Sequence, residues 1–189
     1  LTMFIGLPAT AGLILVRQPL TAVLFERGQF TAADTQRVAI ILIGYAAAVW
    51  AYSMTHVITR AFYALKDART PLRVSVAMVF FNLTLNLILV WHIGAAGLAW
   101  STAISAIAQT IILLIAIRRY VPQPVDSAVW LSWTKSLIVT AIMIVCIVLL
   151  PKNGGAGFQL MTMVTTGTFV YVVGAVLLRF EELHWLLRR

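Results

Sequence analysis

Asn82 and Asn86 stand four residues apart in a stretch that carries no charge from Val74 to Ile117. At helical spacing the two side chains share one face, and Ser75 lies on it a heptad before Asn82. Further along the same stretch, Thr102, Ser105 and Gln109 make a second polar stripe, with Ser101 beside it. Polar groups inside an apolar run cost free energy unless paired or hydrated, so they mark the first places to look for function. Oxygens converging from two such stripes have the chemistry a small hard cation takes. The same residues equally suit interhelical hydrogen bonding, worth about 0.6 kcal/mol per contact. Residue types leave both readings open. His56 and Arg60 form a second pair at i, i+4, near the end of the uncharged run from Val38 to Thr59. Arg60 is close enough to the run's end to snorkel out of it. His56 lies deeper and suits either a polar substrate in a hydrated cavity or a packed, hydrogen-bonded ring.

Other chemistry is missing. No nucleophile has a His partner, no His or Cys spacing suits a metal, and no loop is built to cradle phosphate, so the chain reads as a non-enzyme. The single cysteine, Cys146, excludes an internal disulfide. Asp67, Asp126 and Glu181-Glu182 fall outside the apolar runs, and His92 and His184 read as interfacial and solvated.

The elements that must carry these residues follow from hydropathy. The 189 residues are 61% hydrophobic and 11% charged, against about 45–50% and 25% for soluble domains. A membrane crossing needs about 20 apolar residues. The runs are the first residues to Val16, Val38–Thr59, Val74–Trp91, Leu98–Ile117, Leu131–Leu150 and Phe158–Leu178. The predicted fold is an all-α polytopic membrane bundle of six transmembrane helices. β-Barrel strands are excluded because the runs are continuous rather than alternating. Gly94 and Gly97 permit a tight turn within His92–Gly97. Thr31 and Asp34 read as a capping box, Thr70-Pro71 as an N-cap with Pro at N1, and Pro19–Phe25 as a short interfacial helix. Small residues of the last run, with Gly167 and Gly174, suit close helix packing.

The net charge of +8 sorts by topology. Alternating crossings put Arg60, Lys66, Arg69, Arg73, Arg118, Arg119, Lys135, Arg179, Arg188 and Arg189 on one side. Arg17, Arg27, Arg37 and Lys152 fall on the other. This ten-to-four bias predicts that the first side, with the C-terminus, is cytoplasmic. The cations do not cluster on one soluble face, so no nucleic-acid partner is expected.

Three segments carry a family resemblance. Leu24-Phe-Glu-Arg-Gly-Gln-Phe30 with Asp34-Thr35, and Ala61-Phe-Tyr-Ala-Leu-Lys-Asp-Ala-Arg-Thr-Pro71, are the first two. The third is Asn82-Leu-Thr-Leu-Asn86 followed by Gly94-Ala-Ala-Gly-Leu-Ala-Trp-Ser-Thr102. In this order and spacing they resemble the MurJ/MviN lipid II flippases of the multidrug/oligosaccharidyl-lipid/polysaccharide exporter superfamily. Residues 103–189 match by hydropathy alone.

The resemblance implies the C-terminal part of a fourteen-helix transporter, from the end of helix 9 to helix 14. Residues 1–117 would belong to the second transport lobe, 118–135 to a cytoplasmic loop, 136–178 to a terminal helix pair and 179–189 to a cytoplasmic tail. The partners implied are lipid II, membrane lipids and an N-terminal lobe of the same protein, in the bacterial cytoplasmic membrane. The terminal pair would form a groove for the polyprenyl tail. The family's sodium site maps to Asn82, Asn86, the Leu98 carbonyl and Thr102, completed by a carboxylate from a helix this chain does not contain. Sodium is thus the one coupling ion implied, and no other cofactor is. His56 and Arg60 are the candidate substrate-cavity residues. Alternatives are a related exporter of lipid-linked oligosaccharides or drugs, and a non-transporting membrane scaffold.

Overall fold

A computed structural model describes residues 2–121, 127–151 and 154–178. Asp126, Lys152, Arg179, Glu181, Glu182, His184, Trp185, Arg188 and Arg189, with the expected tail 179–189, lie outside the described residues. The described chain folds into six helices: α1 (Thr2–Phe25), α2 (Ala32–Ala64), α3 (Arg69–Ile93), α4 (Ala95–Ile117), α5 (Ser127–Val148) and α6 (Ala156–Leu177). All six contain stretches long and apolar enough to cross a membrane.

Two compact units emerge. One gathers α1, α2 as far as Ile43, α5 and α6; the other runs from Gly44 through α3 and α4. In this grouping α1 packs with the last two helices. The expected loop over 118–135 is shorter. Helix α5 starts at Ser127, once Pro122 and Pro124 are passed and no further helix breaker intervenes. Lys135 is therefore helical, and its ammonium donates to the Leu178 carbonyl beyond α6 at 3.3 Å.

Local chemistry sets the helix ends. Thr31 Oγ1 donates to Asp34 Oδ2 at 2.7 Å and accepts from the Asp34 N–H at 3.4 Å, while the Thr31 N–H donates to Asp34 Oδ2 at 3.1 Å. That is the reciprocal box expected for α2. Helix α3 begins earlier than Thr70-Pro71 predicts. Asp67 Oδ1 accepts from the N–H groups of Arg69 and Thr70 at 3.1 and 3.0 Å, so the carboxylate, not Thr70, closes this end. Between α3 and α4 only Gly94 leaves the helix, at φ 60° and ψ −143°, a conformation open to glycine alone. Gly97 then passes Leu89 so closely that a Cβ would fall 2.5 Å from its carbonyl oxygen.

Pro19 does not start a separate helix, because α1 continues through it to Phe25. The lost N–H costs one helical bond, but the ring is buried and nearby carbonyls find side-chain donors. Arg17 Nη1 donates to the Ile14 carbonyl at 2.6 Å and Thr21 Oγ1 to the Arg17 carbonyl at 2.7 Å.

The core of the first unit is Phe4 and Val16 of α1, Val139, Met143 and Ile147 of α5, and Met163, Tyr171 and Ala175 of α6. Gly167 and Gly174 admit α5, their missing side chains facing Ile147 and Val139. In the second unit the seam between α2 and α4 is made of alanine: Ala48 and Ala51 against Ala103 and Ala106.

Candidate functional site

The α3–α4 hairpin brings the two polar stripes together, in a register that differs from the expected one by a single residue. Ser101, Ser105 and Gln109 recur every four residues, and these three face α3. Ser101 Oγ donates to Asn86 Oδ1, Asn82 Nδ2 donates to Ser105 Oγ at 3.3 Å, and Gln109 Nε2 donates to Ser75 Oγ at 3.1 Å. Within α3, Asn86 Nδ2 donates to Asn82 Oδ1 at 3.0 Å. Thr102 lies one position round the helix and turns back on its own backbone, donating to the Leu98 carbonyl at 2.8 Å.

The four residues read as an ion site thus form two pairs, Asn82 with Asn86 and Leu98 with Thr102. Ser101 joins them, since its hydroxyl lies 2.9 Å from the Leu98 carbonyl as well as against Asn86. One hydroxyl proton serves one acceptor at a time. With Thr102 on Leu98, Ser101 is free for Asn86, and every amide oxygen has a donor. As a protein network this is a satisfied glue. As a donor set it is also carbonyl and hydroxyl oxygens throughout, which fits a hard cation able to displace those donors. Its charge is zero. Among the described residues no group of three or more His, Cys, Asp and Glu side chains gathers to hold a metal.

Helix α2 presents His56 and Arg60 on an exposed face, with the exposed rings of Tyr52 and Tyr63 at the same helical spacing. Hydropathy does not separate these rings from the apolar residues around them; their shared face with His56 and Arg60 does. A neighbouring face of α2 holds a polar contact that hydropathy gave no sign of. Thr55 Oγ1 lies 2.8 Å from Thr110 Oγ1 of α4, and Thr110 in turn reaches the Ala51 carbonyl at 2.9 Å.

At the end of this unit Asp67 ties the α2–α3 turn to the residues after α4. Tyr120 donates its phenol to Asp67 Oδ2 at 3.0 Å. The Thr70 hydroxyl and N–H, then the Tyr120 hydroxyl and the Arg69 N–H, hold the Asp67 carboxyl below the usual carboxylate range. The same bond to Asp67 pushes the Tyr120 phenol up. Lys66 just before it adopts φ 60°, an uncommon left-handed residue for a side chain that is not glycine.

The first unit contains an apolar cavity of about 360 Å³. Pro8, Gly12 and Val16 of α1 form one wall, and Met143, Gly167 and Tyr171 of α5 and α6 form the others. Helix α5 supplies only the apolar side chains of Met143 and Ile147 to it. Ser136 is turned instead toward Tyr171, with the two hydroxyl oxygens 3.0 Å apart.

Comparison with known proteins agrees with this architecture. A family model described as lipid II flippase MurJ matches residues 1–169. A probable lipid II flippase MurJ of Thermotoga maritima is 30% identical over 188 residues, covering 100% of this chain and 38% of the relative. Another, of Vibrio cholerae, is 34% identical over 103 residues, covering 54% of this chain and 20% of the relative. A solved structure described as lipid II flippase MurJ in an inward closed conformation superposes with a TM-score of 0.83 at 25% identity. It aligns with 94% of this chain, which covers 37% of that structure. The chain therefore spans well under half the length of these relatives. With six apolar helices and a family model matching most of its length, this multi-pass membrane chain belongs to the lipid II flippase MurJ family.

Proposed function

We propose that this chain supplies part of a flippase that moves lipid-linked peptidoglycan precursor, lipid II, across the bacterial cytoplasmic membrane by alternating access. The observation that carries the reading is the likeness to an inward closed flippase over 94% of the chain. The remainder of the transporter, including an N-terminal lobe, is the partner this reading requires. The chain acts as a transporter and not as an enzyme. Its orientation follows the ten-to-four charge bias, with the C-terminus cytoplasmic.

Roles divide between the two units. The face of α2 with Tyr52, His56, Arg60 and Tyr63 meets the headgroup, Arg60 pairing with pyrophosphate and the rings offering stacking surfaces for sugar. The apolar cavity beside α5 and α6 takes part of the polyprenyl tail. Asn82, Asn86, the Leu98 carbonyl and Thr102 contribute to a sodium site whose missing charge comes from a carboxylate elsewhere in the transporter. A sodium ion there supplies fixed positive charge and a link to the ion gradient.

The test is complementation. The complete reading frame that carries this sequence should restore growth to bacteria depleted of their own lipid II flippase. Normal membrane abundance without restored growth would sink the proposal. Arg60→Ala should impair rescue more than Arg60→Lys, since a point charge replaces part of the lost phosphate contact.

A further inference from the structure

Pro8 lies seven residues into α1 and has no N–H to give. In an unbroken helix that N–H would bond the carbonyl of Phe4, four residues back. The Phe4 oxygen is therefore left without its helical donor in the apolar interior, where water is not at hand to replace it. Tyr171 of α6 takes the place of the proline's donor. Its hydroxyl donates to the Phe4 carbonyl at 2.5 Å and lies 3.0 Å from Ser136 Oγ of α5. The Ser136 hydroxyl, 3.5 Å from the Met3 carbonyl, completes a link among all three helices. Both Tyr171 and Ser136 are buried.

The same two residues shape the apolar cavity. The Pro8 ring and the Tyr171 ring both line it, with Gly12 and Gly167 leaving its width to the helix backbones. The rings of Phe4 and Tyr171 also meet, their centroids 5.3 Å apart. One side chain thus replaces the donor missing from α1 and forms part of the wall of the space between α1, α5 and α6.

We propose that Tyr171 is a positioning residue: its hydroxyl latches, through the Phe4 carbonyl, the turn of α1 that Pro8 leaves one donor short, and so sets the width of this cavity. The latch stands on its own geometry. Its consequence for transport rests on the reading that the cavity receives a polyprenyl tail.

The proposal makes a specific claim about two substitutions. Tyr171→Phe keeps the ring and removes the hydroxyl, so the Phe4 oxygen loses this donor. Pro8→Ala offers the Phe4 oxygen a helical N–H in its place. The complete reading frame, in detergent, is examined by amide hydrogen exchange over residues 2–12. Labelling of Gly12→Cys by an apolar maleimide, in a background with Cys146 and every other cysteine of the complete frame replaced by Ala, reports access to the cavity. A Cβ at Gly12 meets nothing within 4 Å, so the probe itself is tolerated. Tyr171→Phe should raise exchange and labelling roughly tenfold with Pro8 present, as expected for a buried acceptor losing its partner. In the Pro8→Ala background the same change should alter them by less than about twofold. Equal effects in both backgrounds, or none in either, would overturn the latch. Polyprenyl phosphate added during labelling separates the two ideas. Labelling that responds to Tyr171→Phe but is not blocked by the lipid upholds the latch and removes the tail. Labelling blocked by the lipid but indifferent to Tyr171→Phe does the reverse.

Discussion

Thr110 of α4 meets Thr55 of α2 with their hydroxyl oxygens 2.8 Å apart, and the pair closes a seam of alanines. The proton count is consistent: Thr55 donates to Thr110, and Thr110 donates to the Ala51 carbonyl at 2.9 Å or to Ala106 of its own helix at 2.9 Å. Thr110 is 1% exposed, so water cannot stand in for a lost partner. Thr110→Val keeps the shape and deletes the donor. It should lower stability by about 0.6–1.7 kcal/mol, the range for hydrogen bonds between membrane helices. Thermal melting in detergent, followed by circular dichroism, measures it, and an unchanged melt would show that the pair adds nothing.

Further along the seam the constraint is steric. A Cβ at Gly44 would lie 2.7 Å from Ala99 Cβ and 3.0 Å from the Ala99 backbone carbon. A flexible side-chain end could swing away, but backbone cannot, so α2 and α4 must part. Gly44→Ala should cost about 1–3 kcal/mol, the usual penalty of overpacking. It should exceed Thr110→Val in the same melt. The reverse order would mean that the hydrogen bond, not close approach, holds the seam.

How much of this was legible in the sequence depends on the kind of signal. Charge-free runs, the Gly94 turn and the Thr31–Asp34 box are local, and each appears where the residues place it. Partner choice is not local. Spacing shows that Asn82 and Asn86 share a face, but it groups Thr102 with Ser105, and the row that faces α3 is Ser101, Ser105 and Gln109. One helical position decides whether a hydroxyl crosses to α3 or folds back on Leu98. Pro19 reads as a boundary because a lost helical bond is a local cost, whereas the burial of its ring is tertiary; the donors from Arg17 and Thr21 lie on the same helix. Thr55 and Tyr171 looked unremarkable because hydropathy cannot say which oxygen a hydroxyl will find on another helix. Where α5 begins was misjudged for a simpler reason. Hydropathy starts the run at Leu131 and the resemblance ends the loop at residue 135, whereas the helix already begins at Ser127.

Asp67 makes a pH prediction with a definite sign. Its carboxyl is held below the usual range by Thr70, Tyr120 and Arg69, so the folded state favours the ionised form. A depressed carboxylate contributes stability that is full above its unfolded value, about 3.9, and is lost as pH falls through the folded value. Melting temperature should therefore drop on acidification below about pH 4 more steeply in the parent than in Asp67→Asn. Tyr120→Phe should remove part of that difference, since it deletes one of the donors. Parallel pH curves for parent and Asp67→Asn would show that the turn does not depend on this charge.

Asn86→Asp tests whether the hairpin is only glue. Asn86 Nδ2 donates to Asn82 Oδ1 at 3.0 Å while Asn86 Oδ1 accepts from Ser101. A carboxylate at this position keeps the second bond but sets an oxygen against Asn82 Oδ1, where there is no proton to share. In potassium buffer the variant should lose about 1–3 kcal/mol, the cost of an unmatched buried acceptor. If the hairpin oxygens serve a cation, the added charge also supplies what the neutral set lacks. Sodium should then restore stability to Asn86→Asp at concentrations that leave the parent little changed, and Asn82→Ala should abolish the recovery. Melts of the three proteins in matched sodium and potassium decide it. A loss that sodium does not repair assigns these residues to helix pairing alone and removes them from the proposed sodium site.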